Sequence, residues 1–67
     1  MAVGRRVRDL RRQLRISQEE LAARADLHRN YVGSVERGER EIGITALGRL
    51  VRALEVTLAD FFTPFRQ

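Results

Sequence analysis

The residues Ser17 to Gly38, SQEELAARADLHRNYVGSVERG, decide the fold. They read as two short helices joined by a tight turn. Ser17, followed three residues later by Glu20, is a capping box. The hydroxyl caps a free backbone N–H at the helix start, and the carboxylate reaches back to the cap residue. Leu21, Ala22 and Ala25 then form a narrow apolar stripe of mostly small residues, which lets a second helix cross close by. Asp26 marks the turn, because Asp tolerates left-handed backbone better than most residues, though less well than Gly. The second helix is expected over about His28 to Arg37. At about 100° per residue, Tyr31, Val32 and Val35 share one side. Arg29, Asn30, Gly33, Ser34 and Arg37 share the other, with Glu36 on the border. One side suits a core; the other offers hydrogen-bonding groups with two small residues between them.

Working outward toward the N-terminus, residues 3–15 make a first helix. Val3, Val7, Leu10 and Leu14 lie within about 60° of one another on the wheel. Arg5, Arg8, Arg12 and Arg15 cluster opposite, as a solvated face or as a source of phosphate contacts. Arg11 sits beside the apolar stripe, where a guanidinium is partly buried and needs a partner. Glu36 occupies the matching border of the later helix, so an Arg11–Glu36 bridge is predicted. Ile16 closes the turn into the capped helix. Gln18 lies in the first turn of that helix, where free N–H groups and the helix dipole favour an anion such as a DNA phosphate. His28 is the only histidine and is expected to be exposed at the start of the next helix, near a phosphate.

Toward the C-terminus, Gly38 follows its helix as a stop should, and Gly43 is an acceptable cap for the next helix. Arg40 projects from the loop between them with Glu39 and Glu41 on either side. That arrangement serves local charge balance or a groove contact. A fourth helix is expected over about 44–55, with Ile44, Leu47, Leu50, Val51 and Leu54 on one arc. Gly48 in its middle costs about 1 kcal/mol relative to Ala, which is tolerable where another backbone packs close. Thr57 and Asp60 repeat the cap signal for a short helix over 58–63, ended by Pro64. Phe61, Phe62 and Phe65 crowd the C-terminal end. They exceed what a small core needs, and they mark a candidate homodimer interface.

Composition narrows the function. At 67 residues the chain supports one domain with one small core, burying only about 60% of its unfolded surface. It has no cysteine, so disulfides and thiolate metal sites are excluded and a reducing cytoplasm is the expected compartment. No run approaches the roughly 18 apolar residues of a membrane span, and the N-terminal stretch lacks a signal-peptide core. All 13 basic residues are Arg, against nine acids, for a net charge of +4. The pI of about 11.3 falls in the range of nucleic-acid binders. One His and no acid cluster around a pocket argue against an enzyme, and no cofactor, metal or small-molecule ligand is implied. A basic amphipathic membrane binder fits the first helix alone; the caps and core pattern of the other four argue against it.

Together these elements make an all-α, five-helix domain containing a helix-turn-helix with its recognition helix second. From Val7 to Phe62 the chain resembles the phage-repressor-like (Cro/C1 or XRE type) helix-turn-helix family. The motifs that carry the likeness are Ser17–Ala22 (SQEELA), Val35–Arg40 (VERGER) and the closing helices from Leu50 to Phe62. The resemblance implies a double-stranded DNA-binding transcriptional regulator. Gln18 is similar to the residue that anchors the second helix on the DNA backbone. Arg29, Asn30 and Ser34 match positions that face base edges, and Arg11 with Glu36 matches a family salt bridge. Within the family, Leu27–Arg40 is most similar to the small controller proteins of restriction–modification systems, which are free-standing homodimers. In those, the residue matching Arg40 contacts DNA and the one matching Tyr31 lies at the duplex interface. His28 and Arg37 complete the expected backbone contacts. Two departures stand out: Asp26 where the family usually has Gly, and Glu41 where the controllers often have Asn. The alternative is a protein-interaction module on the same fold, as in coactivators; the polar recognition face favours base edges over a protein partner.

Overall fold

The computed structural model describes residues 2–65, and among these there are helices and no strands. The helices are α1 (Ala2–Gln13), α2 (Gln18–Ala25), α3 (Arg29–Glu36), α4 (Ile44–Ala53) and α5 (Leu58–Phe62), followed by a 3-10 turn, Thr63–Phe65. α2 packs against both α3 and α4, and α1 lies across α3. The core that results contains Val7, Leu10, Leu21, Ala22, Ala25, Val32, Leu50, Val51, Leu54 and Phe61.

Three of the helix connections are built alike. Arg15-Ile16-Ser17, Asp26-Leu27-His28 and Glu55-Val56-Thr57 each begin with a left-handed residue, at φ of 60°, 57° and 64°. Each then places an apolar residue whose N–H reaches back five residues: Ile16 to the Arg11 carbonyl, Leu27 to Ala22 and Val56 to Val51. This is a Schellman closure. The third residue caps the following helix. Ser17 Oγ accepts from the Glu20 N–H at 2.9 Å, His28 Nδ1 from Asn30 at 3.1 Å and Thr57 Oγ1 from Asp60 at 3.0 Å. A non-glycine residue in left-handed backbone costs about 1–2 kcal/mol. Ile16, Leu27 and Val56 offset it by packing on the core. Only α3 ends on glycine, Gly38 at φ 74°, and there the residue after it is the exposed Glu39.

Several boundaries and contacts differ from expectation. α1 ends at Gln13 rather than 15, because the left-handed Arg15 has left the helix. α3 begins at Arg29, since His28 is its cap and not its first residue. α4 stops at Ala53, short of 55, for the same left-handed reason at Glu55. The capping box at Ser17 is half formed: Glu20 turns outward and accepts from Arg24 Nε at 2.9 Å. Ile44, expected in the core arc, is 87% exposed, as its place in the first turn of α4 leaves nothing opposite it. Gly48 has no neighbour within 4 Å of where a Cβ would stand, so no backbone among the described residues explains it.

The aromatic end also needs correction. Phe61 is completely buried, so its ring fills the core of the single chain and offers a second subunit no exposed surface there. Phe62 remains 37% exposed, set edge-on to Phe61 at 4.9 Å and against Phe65 at 5.7 Å. Phe65 is partly buried against the core. Among the described residues, the exposed large hydrophobics are Ile44, Leu58 and Phe62.

Candidate nucleic-acid interface

The C-terminal end of α3 is locked from the inside. Glu36 accepts from Arg11 Nε at 2.7 Å and from Arg11 Nη2 at 3.0 Å, the bidentate fork that guanidinium and carboxylate favour. Gln18 Nε2 adds a third bond at 3.0 Å. The Glu36 side chain is 1% exposed and that of Arg11 12%, so the predicted bridge is present and mostly dry. Burial works to raise the Glu36 pKa, but the hydrogen bonds from Arg11 and Gln18 and the charges of Arg11 and Arg8 outweigh it. The carboxyl is held below its ordinary value. The bond to Glu36 in turn raises Arg11 against the opposing effect of its own burial. Arg8, expected on a solvated face or at a phosphate, donates to the Glu36 backbone carbonyl at 3.1 Å.

This lock fixes the groove between α2 and α3. Its walls are Arg11, Ser17, Gln18 and Glu19 on one side and Arg29, Asn30, Gly33 and Arg37 on the other. Gln18 is half-buried with its amide nitrogen bonded to Glu36, and its carbonyl oxygen lies beside Gly33. A Cβ on Gly33 would stand 3.3 Å from that oxygen and 3.1 Å from Arg37 Nη1. The glycine makes room for Gln18 to cross as well as keeping the helix surface low.

The predicted contact residues are not all in one place. Arg29, Asn30, Arg37 and Gln18 share the groove. Arg29 Nη1 pairs with Glu19 Oε2 at 3.2 Å, and Arg37 Nε with Glu39 at 3.1 Å. Ser34 does not line the groove: it is half-buried, and its hydroxyl donates to the Tyr31 carbonyl at 2.9 Å. Tyr31 and Arg40 form a second group, the guanidinium stacked 5.3 Å from the ring centroid. That is cation–π range, and it ties the α3–α4 loop to the recognition helix. His28 is exposed at the start of α3. Its Nδ1 is occupied by the cap, which leaves Nε2 as the donor.

Some residues of consequence escaped the sequence reading. Arg6 donates to the carbonyls of Phe61 and Asp60, both at 2.8 Å, and so fastens the end of α5 to α1. Gly4 is buried where a Cβ would press into the Val35 backbone carbonyl. Glu19 had no assigned role. Arg6 bonds backbone carbonyls and Gly4 meets one, and neither kind of contact leaves a side-chain pattern for a helical wheel to show; Glu19 and Arg29, of opposite charge at the starts of consecutive helices, could have been paired.

A family model described as helix-turn-helix matches residues 7–61. The chain belongs to the helix-turn-helix family. Among its helix-turn-helix relatives, Control protein C.SmaI of Serratia marcescens is 42% identical over 57 residues, which span 85% of this chain and 68% of that one. The restriction-modification controller protein C.AhdI from Aeromonas hydrophila has a similar structure, with a TM-score of 0.86 at 40% identity over 90% of this chain and 91% of that one. The controller C.Esp1396I, solved as a tetramer in complex with its natural 35-base-pair operator, gives a TM-score of 0.88 at 31% identity, over 92% and 82% respectively.

Proposed function

We propose that this chain is a transcriptional regulator of the restriction–modification controller type, binding a near-palindromic DNA duplex as a homodimer. The observation that carries the reading is the exposed set of Arg29 and Asn30 at the start, and Arg37 at the end, of a short helix whose other face is fixed in the core. Such a helix enters the major groove with its N-terminal residues toward the bases. Arg29 pairs bidentately with guanine and Asn30 with adenine. Gln18, His28, Tyr31, Arg37 and Arg40 meet the backbone, where each neutralised phosphate releases counterions. Ser34 contributes less to base reading, since its proton is committed to its own helix. Ile44, Leu58 and Phe62 supply the apolar surface for self-association. The relatives named as controllers, one of them seen on its operator, support the same reading.

Two-fold symmetry sets paired recognition helices about 34 Å apart. Selection from a random duplex pool should therefore yield a near-palindrome. For a dimer touching six phosphates, the slope of log affinity against log salt should be roughly −5. Arg29→Ala should lose about 1–3 kcal/mol of discrimination at one base pair per half-site. A pool that gives no enriched duplex overturns the reading and turns attention to a protein partner.

A further inference from the structure

We propose that Glu19 is a specificity-determining positioning residue, which holds the Arg29 guanidinium at the mouth of the groove and restricts it to a guanine-type acceptor. The inference rests on the reading of Arg29 as a base-contacting residue. Glu19 is the second residue of α2 and Arg29 the first of α3, so their ion pair, at 3.2 Å, bridges the two walls of the groove. Both side chains are well exposed, 73% and 64%. An exposed pair of this kind stabilises a fold very little, and the fold already has its α2–α3 tie in the Gln18–Glu36 bond.

The pair changes character when a duplex closes over the groove. Water leaves, the local dielectric falls, and the attraction between the two charges strengthens. Glu19 engages Nη1, one corner of a guanidinium that carries five N–H donors in a rigid fork. Another edge of the fork stays available to the paired acceptors O6 and N7 of guanine. Two consequences follow. The neighbouring carboxylate cancels much of the Arg29 charge, so this residue gains little from a phosphate in any sequence. A pinned fork also cannot swing to another acceptor, so a wrong base leaves it buried and unpaired, which penalises the mismatch. Glu19 thus lowers binding to all duplexes while widening the gap between right and wrong ones.

The test uses the full chain as wild type, Glu19→Gln, Arg29→Ala and the double variant. Binding is measured to the selected duplex, to that duplex altered at each position, and to random duplex. Equal thermal unfolding of wild type and Glu19→Gln establishes that the fold is intact. The expected result is tighter binding of Glu19→Gln to random duplex, with preference at a single base pair per half-site reduced by at least about threefold. In the Arg29→Ala background the same substitution should leave base preference unchanged. Tighter binding to every duplex with no change in preference would overturn the proposal, as would an equal effect of Glu19→Gln with and without Arg29. A wild type with no preferred duplex overturns the functional reading itself, a failure visible before any substitution is made.

Discussion

α3 carries an Arg–Glu pair on each side, and the two have opposite consequences. Arg11–Glu36 lies against α1 at 2.7 Å with almost no exposure. Arg29–Glu19 lies in the groove at 3.2 Å, open to water. The chemistry is the same, and burial separates them. The inner pair has given up its hydration, so its members depend on each other and on Gln18; no buried side-chain polar atom among the described residues is left without a partner. The outer pair keeps its hydration, so its loss costs the fold little, and the part of the Arg29 fork that Glu19 does not engage stays open to a ligand. A charged pair specifies a fold when it is dry and remains available to a ligand when it is wet.

The largest expected effect is at Arg11. Arg11→Ala strands a buried carboxylate and should cost about 3–5 kcal/mol, a large share of the stability of so small a domain. Urea unfolding at neutral pH measures it, and an unchanged midpoint would refute the role of the inner pair. Acid should act on the same contact. The folded-state pKa of Glu36 is depressed, so the folded protein binds its proton less readily than the unfolded chain does. The stabilisation is fully present above the ordinary carboxyl pKa of about 4.3. It is lost as pH falls through the lower folded value. Urea midpoints taken from neutral pH downward should fall more steeply for wild type than for Glu36→Gln.

The inner side of α3 makes a second demand, for close approach. Gly4→Ala would drive a methyl group into the Val35 carbonyl, which must be relieved by moving α1 off α3. Overpacking of this kind costs about 1–3 kcal/mol. Gly48, the other helical glycine outside α3, has open space around it, and Gly48→Ala should instead stabilise by about 1 kcal/mol. Thermal melts of the two variants should move in opposite directions.

Legibility in the sequence follows the same division. The Ser17 and Thr57 caps, the small stripe of α2 and the Gly38 stop are local signals, and each stands where expected. The Arg11–Glu36 bridge was readable because two helical wheels each left one charge on an apolar border. The left-handed Arg15 and Glu55 were not readable, since the glycine rule misses ends where an apolar residue on the core offsets the strain. A wheel gives the direction of a side chain and is silent on what lies opposite, so it does not show that Ile44 lies outside the core; the crowding of three Phe at the C-terminal end shows an excess over the core without showing which ring fills it. At the groove, Gln18, Arg29, Asn30 and Arg37 come together as the polar face implied, while Ser34 turns back on its own backbone.

The smallest expected effect is at the outer pair. Glu19→Gln and Arg29→Ala should each change stability by no more than about 0.5 kcal/mol, as measured by the same urea titrations that expose Arg11. Neither residue is buried, and the Glu36 cluster does not include them. Removing either leaves its partner facing water, where a lone charge is well solvated and no desolvation penalty arises. If Glu19→Gln instead cost as much as Arg11→Ala, exposure would be a poor guide to what an ion pair does. The groove would then be part of the folding core, and Glu19 would hold α2 and α3 together rather than aim the Arg29 guanidinium.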